Sequence, residues 1–113
     1  MLDQLMLDQL DDTALDDLPF GVVCLDHGTV VRFNRTEAER SGIQRWRALG
    51  RSFFDDVAPG RENRTLAAHI DAFLAGREAG SVTHTFPRRT GADPTHIELE
   101  RGDADRVYLK ICR

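Results

Sequence analysis

Residues 53–60 read FFDDVAPG, and this stretch says more about the fold than any other part of the chain. Ser52 stands directly before it and predicts the cap of a short helical turn that begins at Phe53, because a serine hydroxyl accepts a hydrogen bond from a free N–H of the first turn. The two aspartates occupy first-turn positions, where negative charge is favourable. The Pro-Gly pair then ends the turn.

Two strands are predicted on the N-terminal side of this turn. Residues 20–26 (FGVVCLD) form a β-branched, apolar run of strand length. A His-Gly pair supplies a turn, and residues 29–34 (TVVRFN) are typical of the second strand of a hairpin. Strict alternation along that strand predicts that Val31 and Phe33 share one face.

Helices are predicted on both sides of the turn. Residues 35–40 favour helix, Gly42 is a helix stop, and residues 44–49 allow one more helical turn. A longer helix is predicted over residues 62–77, because its apolar residues recur at helical spacing. Those residues are Leu66, Ile70, Phe73 and Leu74.

The C-terminal third of the chain predicts three more strands. Residues 81–86, 94–100 and 106–112 alternate apolar with polar side chains, and a loop over residues 87–93 separates the first two. Two strands, a helical middle and three strands predict an α+β domain. We expect one antiparallel five-stranded sheet with helices packed on one face.

Composition limits the function. The chain has 113 residues, of which 41% are hydrophobic and 30% charged, and a net charge of -4. This size and balance predict one globular domain. Residues 1–19 hold six aspartates and no lysine or arginine, which leaves a nearly neutral body. A nearly neutral body offers no strong positive field, so nucleic acid is not an expected partner.

Neither a membrane span nor a signal peptide is expected. The apolar runs are only a few residues long, and the acidic N-terminus lacks a basic region. We therefore expect a cytoplasmic protein without a membrane partner. Cys24 and Cys112 are too few for a disulfide framework and have no zinc-site spacing, so both are expected to be reduced.

Residues 1–18 are predicted to form an acidic amphipathic segment ahead of the domain at residues 19–113. The segment begins with a tandem repeat of MLDQL, and its leucines can share one side of a helix. Two interpretations stay open. The segment either covers the core or docks onto a partner.

The order of elements and several short motifs identify a family. The chain resembles a PAS domain, and more narrowly the photoactive yellow protein branch, over residues 15–113. FNRTE at residues 33–37 is similar to that family's Tyr-Asn-x-x-Glu. FFDDVAPG is similar to its Phe-Phe-x-Asp-Val-Ala-Pro-Cys, while LPFG, DPTHIELE and RVYLKICR resemble its first strand and its last two strands.

The resemblance implies a lost attachment point for a chromophore. In that family the cysteine after Val-Ala-Pro carries a thioester-linked 4-hydroxycinnamoyl group, and the matching residue here is Gly60. Phe33 stands at the position of the family's tyrosine, and Ile43 at that of its arginine. Glu37 matches the family's glutamate, and Ser41 matches its threonine and keeps the hydroxyl. We therefore expect no covalent cinnamoyl chromophore, while a pocket remains possible.

Glu37 is the most informative candidate for the site. The resemblance places it facing inward, where an acid loses the water that stabilises its charge. The alternative is an exposed acid in a first helical turn, paired with Arg40 or with the helix dipole. The full set of predicted ligand-binding residues is Phe33, Glu37, Ser41, Phe53, Val57, Gly60, His69 and Phe86.

The sequence gives little support for a haem site, a metal site or a catalytic site. His69 in the longer helix could hold a haem iron, but nothing around it matches a haem-binding pattern. His84 and His96 are expected to be unrelated strand histidines, so no metal site is expected. No Gly-x-Ser-x-Gly elbow, catalytic triad or phosphate loop is present, so no catalytic residue and no enzyme activity are expected.

The sequence therefore predicts a stand-alone PAS sensory or protein-interaction module. Its output would be a partner signalling protein, or self-association through residues 1–18. No cofactor is expected in that case. The alternative is a sensor that binds haem or a small organic ligand noncovalently.

Overall fold

The computed structural model describes residues 6–86 and 94–112. The first copy of the MLDQL repeat and the predicted loop at residues 87–93 lie outside the described residues. The elements are a 3-10 turn at Leu7–Gln9, α1 (Asp12–Asp16), β1 (Gly21–Asp26), β2 (Thr29–Phe33), α2 (Arg35–Ser41), α3 (Arg45–Ala48), a π-helical turn at Phe53–Val57, a 3-10 turn at Arg61–Asn63, α4 (Arg64–Leu74), β3 (Ser81–Thr85), β4 (Pro94–Arg101) and β5 (Arg106–Cys112).

The strands form one sheet in the order β2-β1-β5-β4-β3, and every neighbouring pair is antiparallel. The last strand therefore lies between the first and the fourth. The prediction of an α+β domain with a five-stranded antiparallel sheet is confirmed. The elements between β2 and β3 lie on one face of this sheet.

The face of the sheet toward these helices carries the larger core. Alternate residues of β1, β4 and β5 point toward it, as the alternation predicts. α4 covers this face with Leu66 and Ile70, which recur at helical spacing and are buried. The predicted longer helix is divided, because the 3-10 turn at Arg61–Asn63 precedes α4. Gly76 adopts a positive φ just after its end.

The predicted facing of β2 is wrong. The pairing of β2 with β1 shifts between Cys24 and Leu25, so that Val31 is the extra residue of a β-bulge. A bulge moves the following side chains to the opposite face. Val30 and Phe33 therefore share the helix-covered core, whereas Val31 packs on the other face.

The other face of the sheet, called here the outer face, is covered by the N-terminal segment. Leu7 and Leu15 are buried there against Val22, Cys24 and Tyr108. Of the two interpretations of this segment, the packing supports the one in which it covers the core. A docking role for residues 1–18 stays a prediction.

Polar contacts hold the N-terminal segment in place. The Tyr108 hydroxyl donates to Asp8 Oδ1 at 2.6 Å and accepts from Arg32 Nη1 at 2.8 Å. Arg32 also donates to the carbonyl oxygens of Leu7 and Leu10. No helix in the described part of the chain has the length and apolar character that a membrane crossing requires.

Candidate functional site

A cavity of about 270 Å³ lies between the sheet and the helices that cover it. Its walls come from β2, α2, the π-helical turn, the segment that leads into α4 and the end of β3. The lining residues are Phe33, Glu37, Ser41, Ile43, Phe53, Val57, Ala58, Pro59, Asn63 and Phe86.

The structure brings six of the eight predicted site residues to this cavity. They come from four separate parts of the chain, and the fold places them around one space. Whether they bind a ligand stays a prediction.

Gly60 and His69 do not reach the cavity. Gly60 is exposed and follows Pro59, which forms the wall at this point. His69 lies on a part of α4 turned away from the cavity, with Nε2 at 3.1 Å from the carbonyl oxygen of Ala79. The fold therefore does not place His69 with the apolar residues that line the cavity.

Glu37 is the buried acid of the cavity. The residue is only 4% exposed, which favours the inward-facing interpretation over the exposed one. It lies against Gly21 at the start of β1, so closely that a Cβ at Gly21 would come within 2.2 Å of Glu37 Oε1. Gly21 is thus the residue that allows the acid to lie against the sheet.

Asn34 positions the helix that carries Glu37. Its side-chain oxygen accepts hydrogen bonds from the N–H groups of Glu37 at 3.0 Å and Val22 at 2.9 Å. Its amide nitrogen donates to the carbonyl oxygens of Leu15 at 2.8 Å and Phe20 at 3.1 Å. This helix cap therefore also connects α2 to β1 and to the N-terminal segment.

A second buried polar pair lies at the edge of the cavity, and the sequence does not reveal it. His84 Nε2 lies 2.8 Å from Asn63 Oδ1 and must donate, because an amide oxygen only accepts. Asn63 Nδ2 in turn donates to the carbonyl oxygen of Ala58 at 2.9 Å. Burial lowers the pKa of His84, so the neutral ring is favoured.

This pair ties the segment after the π-helical turn to strand β3. Asn63 precedes α4 and His84 lies on β3, so their hydrogen bond joins two walls of the cavity. The His84 ring also meets the edge of Phe86 at a centroid distance of 4.8 Å. Because the two residues are 21 positions apart, no local pattern could have indicated the contact.

The cavity offers an apolar wall, an acid, a hydroxyl and an amide, but no thiol. Cys24 is buried on the outer face, where burial raises the pKa of its thiol to about 11. Cys112 is exposed at the end of β5. Within residues 6–86 and 94–112, no three His, Cys, Asp or Glu side chains are placed to hold a metal ion.

Comparisons with known proteins agree with this architecture. The sequence matches the family model described as "PAS fold" over residues 15–101. It is 37% identical over 106 residues to a photoactive yellow protein from Rhodothalassium salexigens, covering 89% of this chain and 85% of that protein.

Solved structures show the same similarity. The photoactive yellow protein domain of the sensor histidine kinase Ppr from Rhodospirillum centenum matches with a TM-score of 0.80 and 25% identity, over 95% of this chain and 96% of that one. The PAS domain of the RpfR quorum-sensing receptor from Cronobacter turicensis, in complex with BDSF, matches with a TM-score of 0.69 and 18% identity, over 85% and 94% of the two chains.

Proposed function

The chain is a PAS domain of the photoactive yellow protein family, and from this premise we propose that it is a sensory domain that cannot carry the family's thioester-linked chromophore. The observation that carries the proposal is the cavity, which holds a buried acid, Glu37, but no cysteine. Without a thiol at the cavity no thioester can form there.

The backbone at Gly60 supports the proposal. Its φ is 130°, a conformation that side chains with a Cβ rarely adopt, and the residue lies outside the cavity. A cysteine at position 60 would be strained, so Gly60→Cys alone is not expected to restore a chromophore site. The two natural cysteines lie elsewhere, one on the outer face and one at the end of β5.

The experiment is acylation with activated 4-hydroxycinnamate, followed by an intact mass under denaturing conditions. The Cys112→Ser variant is used, because the exposed Cys112 thiol could react without any site. We expect no adduct on this variant and no reversible bleaching in blue light. A stable cinnamoyl adduct on the variant, with reversible bleaching, would overturn the proposal.

The output of the domain is proposed to be a partner protein. A photoactive yellow protein domain with this fold belongs to a sensor histidine kinase, which supports a role in signalling. We propose a non-catalytic, cytoplasmic domain that acts by association, through residues 1–18 or another surface. Pull-down experiments with the full chain and with a Gln9→Ala/Thr13→Ala/Asp17→Ala variant, which changes only exposed residues of the segment, show which of the two surfaces binds the partner.

A second candidate function is noncovalent ligand binding in the same cavity. The cavity itself favours it, since apolar walls with a few convergent polar groups are typical of small-molecule sites. The similar RpfR domain was solved with BDSF bound. A small organic molecule is a better candidate than haem, because His69 does not reach the cavity.

Native mass spectrometry of the purified protein tests the second candidate. A bound ligand adds mass under native conditions and is lost under denaturing conditions. Val57→Phe, which places an aromatic ring in the cavity, is expected to abolish the added mass. Wild-type protein without added mass, after purification from its own host, would count against ligand binding.

A further inference from the structure

The surface around α3 carries an exposed aromatic side chain among arginines. Trp46 is 72% exposed, and Leu49 directly after α3 is 40% exposed. These are two of the three large apolar side chains that are exposed in the described part of the chain. Isolated exposure is common, but tryptophan among arginines is typical of the centres of protein interfaces.

Local contacts hold the Trp46 side chain in place. The Trp46 indole N–H donates to Gln44 Oε1, and the Arg47 guanidinium lies 5.7 Å from the Trp46 ring centroid. Arg51 and Arg47 flank a surface groove beside the π-helical turn. Neither of these two guanidinium groups forms an ion pair within residues 6–86 and 94–112.

An acidic surface lies directly beside this basic one. Residues 6–18 contain five aspartates and no basic residue, whereas residues 44–51 contain three arginines and no acid. The two surfaces meet where Asp16 pairs with Arg45. Leu49 borders the same junction, because it lines a small groove with Asp12 and Asp16.

We propose that the α3 surface, formed by residues 44–51, binds the acidic N-terminal segment of a second copy of the chain in a two-fold symmetric dimer. Two neighbouring surfaces of opposite charge favour this arrangement, because a two-fold axis between them places each against its complement. The carboxylates of Asp12 and Asp17 pair with Arg32 and Arg35 of the same chain, yet their side chains stay 81% and 71% exposed and can meet a second cation.

The dimer would also touch the candidate sensory site. Ile43 and Val57 line both the cavity and the groove beside Trp46. The interface is therefore one residue layer away from the cavity. Its existence does not depend on a ligand, so dimerisation and ligand binding can fail separately.

Charge-reversed variants test the proposal by analytical ultracentrifugation from micromolar to millimolar concentration. Arg47→Glu/Arg51→Glu makes the exposed side chains of both surfaces acidic. Gln9→Lys/Thr13→Lys/Asp17→Lys changes exposed residues of the acidic segment, so that three lysines outweigh the two exposed acids that remain, Asp11 and Asp12. Each variant alone is expected to weaken the dimer at least about tenfold, because like charges then face each other. Trp46→Ala should have a comparable effect, since it removes the apolar centre.

The decisive sample is an equimolar mixture of the two charge-reversed variants. In a mixed dimer both contacts again join opposite charges, so dimers are expected to return. The control Arg77→Glu/Glu78→Lys changes exposed charges between α4 and β3 and should dimerise like wild type. Circular dichroism confirms that each variant is folded.

Three results would overturn the proposal. The first is a wild-type chain that stays monomeric at millimolar concentration. The second is a dimer that none of the variants weakens, which would place the interface on another surface. The third is a mixture of weakened variants that remains monomeric, which would exclude pairing of acidic with basic surfaces.

Discussion

The two faces of the sheet are covered in different ways. On the helix-covered face, aromatic and aliphatic side chains pack around a cavity of about 270 Å³. On the outer face, a smaller apolar cluster is closed by buried polar groups, chiefly Asn34 and Tyr108. A ligand can enter packing that contains a void, whereas a face with specific hydrogen bonds is held in one arrangement.

This difference separates the part of the domain that holds the cavity from its scaffold. The acid of the cavity, Glu37, belongs to a helix whose first turn is fixed from the outer face by Asn34. The outer face therefore determines where the acid lies. Changes on the outer face should alter stability, and changes at the cavity should alter what it can hold.

The largest effect is expected from Asn34→Ala. The substitution removes four side-chain hydrogen bonds and leaves the buried N–H groups of Val22 and Glu37 without that acceptor. We expect the free energy of unfolding to fall by at least about 3 kcal/mol, because each buried unpaired group costs about 1–3 kcal/mol. Urea unfolding measures it.

Gln9→Ala is the matched control, because Gln9 is an exposed amide on the same face. It should change the free energy of unfolding by less than about 0.5 kcal/mol. If Asn34→Ala cost no more than this control, the role of Asn34 in joining the two faces would be wrong.

A smaller effect is expected when one methylene is added on each face. Val22 is fully buried on the outer face, and Val22→Leu is expected to cost about 1–3 kcal/mol through overpacking. Val57 borders the cavity, so the larger side chain of Val57→Leu has space. It should change the free energy of unfolding by less than about 1 kcal/mol. Equal costs for the two variants would show that the faces do not differ in packing.

A pH dependence is expected from His84 at the edge of the cavity. Burial lowers its pKa below the usual value of 6.5, so the folded protein favours the neutral ring. The contribution of His84 to stability is therefore full above pH 6.5 and is lost as the pH falls through 6.5 toward the folded pKa.

His84→Gln keeps a donor for Asn63 and removes the titration. Thermal unfolding between neutral and mildly acidic pH should show a smaller loss of stability for this variant than for wild type. The control His69→Gln keeps His84 and should retain the wild-type slope. A wild-type slope in His84→Gln would assign the acid sensitivity to another group.

The smallest expected effect concerns thiol reactivity rather than stability. Cys24 is buried on the sealed outer face with its pKa raised to about 11, whereas Cys112 is exposed. In the native protein at pH 8, one thiol per chain should react with a disulfide reagent, and Cys112→Ser should show none. Rapid reaction of Cys24 would mean that the N-terminal segment opens readily.

Features that depend on local periodicity could be predicted from the sequence. The strands, the Asn34 cap and the turn after Ser52 follow from residue type and spacing along the chain. Contacts between distant segments could not. The bulge at Val31 depends on how β2 pairs with β1, and the pair of His84 with Asn63 depends on the path of the chain.

The candidate site likewise has some features that the sequence predicts and others that only the fold reveals. Motif resemblance brought Phe33, Glu37 and Ser41 into one group, and the fold places them around one cavity. The same reasoning could not tell that Gly60 lies outside the wall formed by Pro59. Neither could it show that Gly21 leaves the space in which Glu37 lies.

The most direct test of the difference between the two faces is methyl NMR of the protein under xenon pressure, because xenon enters apolar cavities. We expect xenon to shift the methyl resonances of Ile43 and Val57 at the cavity and to leave those of Leu15 and Val22 on the outer face unchanged. Equal shifts on both faces, or shifts confined to Leu15 and Val22, would contradict the assignment of the ligand-accessible space to the helix-covered face.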